Sequence, residues 1–159
     1  MNAVERHHEI ELGVVISKVC KSISPSEVMD RVAGFTVALD MTDRAKQTEL
    51  KNKGLPWSVA KGFDTSCPVG EFLDKEKLNK DVQSLGIWLK VNDEIKQDGN
   101  TKDMLFSVVD LISYISDIFT LEPGDLVLTG TPSGVGPVKS GDIITAGIDG
   151  LPDIQFSVQ

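Results

Sequence analysis

Two glutamates one residue apart, Glu9 and Glu11, open the apolar run Ile10-Glu11-Leu12-Gly13-Val14-Val15-Ile16. Its β-branched residues predict a strand, and strand side chains alternate faces, so both glutamates project to one side while Ile10 and Leu12 point to the other. Two carboxylates held side by side repel unless solvent or a cation relieves them. A hard divalent ion such as Mg²⁺ takes oxygen ligands of this kind; a solvated strand face is the plainer explanation. Asp40 ends a second apolar run, Phe35-Thr36-Val37-Ala38-Leu39. It reads either as a third oxygen ligand or as the N-cap of the helix that follows. Lys61 lies between Trp57-Ser58-Val59-Ala60 and Gly62-Phe63, an apolar, tightly turned setting in which an ammonium can neutralise a bound carboxylate. In Gly130-Thr131-Pro132-Ser133-Gly134-Val135-Gly136 the glycines let backbone amides approach an anion and Thr131 adds a hydroxyl. No Gly-Lys-Ser/Thr follows, so this is not a Walker loop, and a simple tight turn accounts for the same residues.

The elements that must position these groups follow from pattern. Ser24-Pro25-Ser26-Glu27 is a capping box with proline at the first helical position, predicting a helix from Pro25 to about Val32 that stops at Gly34. A buried strand over 35–39 delivers Asp40, and a helix over 42–53 ends at Gly54. Residues 59–65 read as a compact loop or short strand. Asn92-Asp93 joins Gly86–Val91 to Glu94–Gln97 as a β-hairpin. Ser107 or Thr101 caps a helix whose buried stripe is Val108, Leu111, Ile112, Ile115 and Ile118. Strands follow over 126–129 and 143–148, with a last one ending near Val158. The expected class is α+β, predominantly β, with a mixed, rolled sheet and short helices in one domain spanning 1–159.

Composition excludes several functions. The 159 residues carry a net charge of −8, which argues against a nucleic-acid surface, since that needs clustered Lys and Arg. An acidic chain that handles a small anion needs a local positive device, either a metal or a placed Lys or Arg. Cys20 and Cys67 have no CxxC partner, so neither a zinc site nor a disulfide framework is indicated. No apolar stretch approaches the length of a membrane span.

Five segments occur in order: His8-Glu9-Ile10-Glu11-Leu12-Gly13, Leu39-Asp40-Met41-Thr42, Lys53-Gly54-Leu55-Pro56-Trp57, Ala60-Lys61, and Leu128-Thr129-Gly130-Thr131-Pro132 continuing to Val138. Together they resemble the fumarylacetoacetate hydrolase superfamily, in its acylpyruvase and oxaloacetate-decarboxylating branch, over essentially the whole chain. The resemblance implies that Glu9, Glu11 and Asp40 ligate Mg²⁺, with Mn²⁺ as substitute. It implies that Gln47, Lys61 and Thr131 hold or polarise the substrate, with Lys61 in a catalytic role. It further implies a homodimer, a mitochondrial or cytosolic location, and small 2-oxo acid substrates, with oxalate as inhibitor. The expected reaction is cleavage of acylpyruvates or oxaloacetate through a metal-stabilised enolate. An oxaloacetate tautomerase on the same fold, and a metal- or anion-binding remnant without catalysis, are the alternatives.

Two departures bear on this. The family usually places an acidic residue after the arginine that follows Asp40, whereas here Asp43 precedes Arg44, which puts any ion pair made there in question. Family members also carry a longer N-terminal stretch with a helix that covers the site and supplies a His-Glu pair. The expectation is that this chain lacks that cover, and that His7 and His8 flank the site or face solvent without acting as the base.

Overall fold

The computed structural model describes residues 5–159. The chain enters as β1 (Arg6–His8), breaks at Glu9 and resumes as β2 (Ile10–Ile16). β2 is buried along nearly its whole length, as an apolar run covered on both faces must be. It pairs antiparallel with β3 (Val32–Leu39) in the register Ile10↔Leu39, Glu11↔Ala38, Leu12↔Val37. Between them the Ser24–Glu27 capping box forms, with the Ser24 N–H donating to Glu27 Oε2 at 3.0 Å. The turn it opens, Pro25–Arg31, is a 3-10 helix, close to the expected short helix of Pro25 to about Val32, but Gly34 is not what stops it. Gly34 instead lies inside β3, where a Cβ would come within 2.1 Å of the Leu73 carbonyl oxygen. Its role is to let β5 (Leu73–Asp74) approach.

β4 (Thr42–Asp43) leads into α1 (Arg44–Asn52), shorter at both ends than expected. α2 (Ser58–Lys61) is helical, where a loop or strand was expected. The hairpin of β6 (Gly86–Val91) and β7 (Glu94–Asn100) turns on Asn92 and Asp93, with φ of 50° and 68°, the left-handed pair that a two-residue turn requires. α3 (Val108–Ile118) is capped by Ser107, whose Oγ accepts from the Asp110 N–H at 3.2 Å. Val108 and Ile112 are fully buried, but Ile118 is 55% exposed, because the stripe outlasts the core it packs on. β8 (Leu126–Leu128), β9 (Gly136–Val138), β10 (Ile143–Ile148) and β11 (Ile154–Ser157) complete the chain.

The strands form sheets of order β5-β3-β2-β8, β11-β10-β6-β7 and β4-β1-β9. The class is α+β and sheet-rich, as expected, but every named pairing is antiparallel, where a mixed sheet was anticipated. The helix α3 joins β7 to β8, which belong to different sheets, so no crossover forms the parallel pair that a strand-helix-strand unit makes. Leu12, Val37, Leu89, Ile112 and Ile144 fuse the two larger sheets into one core. Among the described residues no helix is long and apolar enough to cross a membrane.

The loop between β8 and β9 is seated on β7 through Gly134, whose φ is +96° and whose added Cβ would lie 1.9 Å from the Lys96 carbonyl oxygen. Gly124 has nearly the same φ, +95°, with open space around it. Gly134→Ala is expected to cost at least about 2 kcal/mol, and Gly124→Ala only the backbone part, about 1 kcal/mol. Urea denaturation of the two variants side by side measures the difference, and equal losses would show that the loop is not seated there.

Candidate metal centre

The β2–β3 register builds the site. One rung beyond Ile10↔Leu39, the Asp40 N–H donates to the Glu9 carbonyl at 2.9 Å, which stands Asp40 across from Glu9. Glu11 lies two residues along β2 and projects to the same side as Glu9. One carboxylate oxygen from each of Glu9, Glu11 and Asp40 lies within 4.8 Å of the other two. Glu9 is only 8% exposed and Glu11 only 5%, which removes the solvated strand face as an explanation for the pair. Asp40 does not cap α1. That task falls to Asp43, whose Oδ1 accepts from the Lys46 N–H at 3.0 Å.

Cations and amides crowd the triad. Lys61 Nζ donates to Glu9 Oε2 at 2.6 Å and to Asp40 Oδ2 at 2.5 Å. Arg44 donates through Nη2 to Glu9 Oε1 at 2.7 Å and through Nη1 to Gln47 Oε1 at 2.5 Å. Glu11 has no cationic hydrogen-bond partner among the described residues; its Oε2 accepts from the Gly130 N–H at 2.6 Å. Titration follows this unequal provision. Burial pushes Glu9 up, but hydrogen bonds from Lys61 and Arg44 reverse the effect and hold its carboxyl below the ordinary range. Burial raises Asp40, and Lys61 only partly offsets it. Lys61 loses some basicity to burial and regains more from its two carboxylates, ending above its usual value. Glu11 is pushed up to about 7 by burial, relieved in part by the Gly130 amide and pushed further by Asp40 and Glu9.

This donor set fits a hard divalent cation. It is made of carboxylate oxygens, with the Lys61 ammonium wedged between two of them where a cation is wanted and one carboxylate left uncompensated. Lys61, Asp40, Glu9 and Glu11 are brought together as expected. Gln47 joins them through Arg44, and Thr131 sits next to the glycine that holds Glu11.

Sequence reasoning missed three things. Arg44, one helical turn before Gln47, grips Glu9 directly; an arginine at the start of the helix after Asp40 was the available signal. His8 does not meet solvent: it is 1% exposed beside Glu9, with Nδ1 2.9 Å from Gln97 Oε1. His7 does flank the site, with Nε2 2.8 Å from Glu5 Oε1 and Nδ1 3.4 Å from Arg44 Nε. Gln97 is fully buried and bridges β2 to the Thr131 loop, and nothing in Glu94-Ile95-Lys96-Gln97-Asp98 announces it.

An oxygen-only triad on antiparallel strands, rimmed by a lysine and a glycine-threonine loop, defines a candidate divalent-cation site suited to small anionic ligands. The chain belongs to the fumarylacetoacetate hydrolase family, its residues 2–159 matching the fumarylacetoacetate (FAA) hydrolase C-terminal domain. It is 54% identical over 153 residues to the mitochondrial oxaloacetate tautomerase FAHD1 of Homo sapiens, covering 96% of this chain and 69% of that protein. It is also 54% identical over 153 residues to the mitochondrial oxaloacetate decarboxylase of Dictyostelium discoideum, covering 96% of this chain and 70% of the relative. The crystal structure of fumarylpyruvate hydrolase from Pseudomonas aeruginosa, in complex with Mn²⁺ and pyruvate, superposes with a TM-score of 0.94 at 36% identity, covering 98% of this chain and 66% of that one.

The Glu11 carboxyl, at about 7 in the fold against about 4.3 when unfolded, favours its protonated form in the native state. The stability this confers is present below the unfolded value and is lost as pH rises through about 7. Cation-free protein is therefore expected to weaken over that window, while Glu11→Gln removes the loss. At pH 8 the variant is expected to be the more stable by at most on the order of 3 kcal/mol, the gap closing toward acid pH. Thermal melts across pH check this. Added Mg²⁺ should raise the melting temperature of the parent protein and leave that of the variant unmoved.

Proposed function

We propose that this chain binds a 2-oxo acid, oxaloacetate first, at a divalent cation held by Glu9, Glu11 and Asp40, and interconverts its keto and enol forms. The observation that supports this most strongly is the carboxylate triad, with Glu9 and Glu11 buried and Asp40 half-buried, and Lys61 between two of its members. A cation bound there, Mg²⁺ or Mn²⁺, supplies Lewis acidity that stabilises an enolate. Lys61, which holds Glu9 and Asp40 in the cation-free protein, would offer its ammonium to the substrate carboxylate. Gln47, held by Arg44, orients the bound acid, and Thr131 donates to it from the loop that carries Glu11's amide partner. The buried position of the glutamates keeps water away and strengthens each of these charges.

Decarboxylation of oxaloacetate is the second reading, favoured by the Dictyostelium relative at equal identity. It passes through the same enolate and needs no protein nucleophile. Acylpyruvate hydrolysis adds a further requirement, a base that draws a proton from water, so it is the most demanding of the three. We extend to this chain the mitochondrial location in the names of its relatives. We also propose a homodimer, which the exposed Leu105, Phe106, Tyr114 and Phe119 beside and along α3 support.

Enol absorbance decay and exchange of the C3 protons of oxaloacetate, followed with Mg²⁺ and compared with Mg²⁺ alone, test the proposal. The protein is expected to accelerate both, and Glu11→Ala and Lys61→Met are each expected to lose about a hundredfold or more. Pyruvate release and acetylpyruvate cleavage are measured in parallel. Pyruvate appearing as fast as the C3 protons exchange makes decarboxylation the principal activity; rates no faster than Mg²⁺ alone overturn the reading.

A further inference from the structure

Gln97 lies on β7, in the sheet that does not carry the carboxylates, yet its side chain reaches both halves of the site. It is fully buried, and its amide makes four hydrogen bonds. Oε1 lies 2.9 Å from His8 Nδ1 and accepts from the Ile10 N–H at 3.1 Å. Nε2 donates to Thr131 Oγ1 at 2.8 Å and to the Pro132 carbonyl at 2.9 Å. Two acceptor lone pairs and two N–H donors are all that a glutamine side chain has, and every one is used. The backbone also dictates which way round the amide sits. The Ile10 N–H can only donate and the Pro132 carbonyl can only accept, so a flipped amide would set like against like at both.

The consequence falls on Thr131. Its hydroxyl oxygen already accepts a hydrogen bond from the Gln97 amide, and a hydroxyl has one O–H of its own to donate. No acceptor among the described residues takes that proton. Thr131 directly follows Gly130, whose N–H holds Glu11. We propose that Gln97 is a positioning residue that orients the Thr131 hydroxyl as a hydrogen-bond donor to the bound anion and locks the Thr131 loop to the metal-bearing strand. This rests on the reading of Thr131 as a substrate contact.

Gln97→Glu keeps the shape and the acceptor but removes the donor, so Thr131 turns its proton inward to the new carboxylate. Gln97→Met removes the donor without adding charge and guards against loss of fold, which melting curves monitor. With Mg²⁺ present, both variants are expected to weaken oxalate binding by about tenfold or more, to raise the KM for oxaloacetate more than they lower kcat, and to leave Mg²⁺ affinity in the absence of oxalate within about twofold. In a Thr131→Val background the same Gln97 substitutions are expected to cost nothing further, whereas Thr131→Ser restores the dependence. A purely structural role would weaken oxalate equally in both backgrounds, and that result overturns the proposal. Should the parent protein bind no oxalate with Mg²⁺, the functional reading fails, and the Gln97 geometry is judged separately by NMR. Its side-chain amide protons are expected to exchange slowly and to shift on Thr131→Val; rapid exchange or no shift would then overturn it.

Discussion

Mutual repulsion among three clustered carboxylates, two of them buried, is the constraint on which the rest of the structure depends. Glu9, Glu11 and Asp40 converge because β2 and β3 pair in one register, and a slip by a single residue would turn both glutamates to the opposite face. The apolar, doubly covered strands that enforce this register also remove the water that would otherwise relieve the charge. The fold therefore creates an electrostatic deficit by the same packing that makes it stable. Lys61 and Arg44 meet part of that deficit at Glu9 and Asp40. The part left over settles on Glu11, whose carboxyl stands near 7.

Each supporting element is intelligible from that deficit. α1 begins where it does because Asp43 caps it, and this puts Arg44 in the first turn with Gln47 one turn later on the same side. The displaced acidic residue thus serves the helix end and pairs with Arg6 at 2.7 Å, leaving Arg44 free for Glu9. α2 is a single turn, but it is what aims Lys61 at two carboxylates. Gly130 and Gly134 do separate work in the loop: one presents its amide to Glu11, while the other lets the backbone rest on β7.

What could be read in the sequence was whatever a period or a turn makes local. Strand alternation put Glu9 and Glu11 on one side, the Asn92-Asp93 hairpin and the Ser107 cap stand where expected, and Asp40 arrives at a strand end. The 3-10 turn at Pro25 and the antiparallel pairing throughout were not legible, because both are settled by which strand lies beside which. Gly34 shows why: as a helix stop it was a sound local reading, but a neighbouring carbonyl 2.1 Å from its absent Cβ decides its place. His8 and Gln97 failed for the same reason. They are 89 residues apart in the chain, and a polar side chain in an ordinary-looking strand carries no mark of the buried partner it will meet.

Under the proposed function, the charges at the site would also set an order on binding. Without a divalent ion, Glu9, Glu11 and Asp40 face two cationic side chains, so an excess negative charge builds as pH rises through about 7 and Glu11 ionises, and the low-polarity surroundings make it reach further than it would in water. A dianionic oxo acid approaching that surface is repelled, on a chain that is already acidic overall. A divalent cation held by Glu9, Glu11 and Asp40 would offset that charge and compete with Lys61 for its two carboxylate partners, which would free the ammonium for an anionic ligand. Lys61 is a counter-ion to Glu9 and Asp40 in the cation-free protein, and the proposed function gives it a second role as a ligand contact. If the proposed roles hold, cation would bind before anion, because Lys61 is engaged by Glu9 and Asp40 in the cation-free protein.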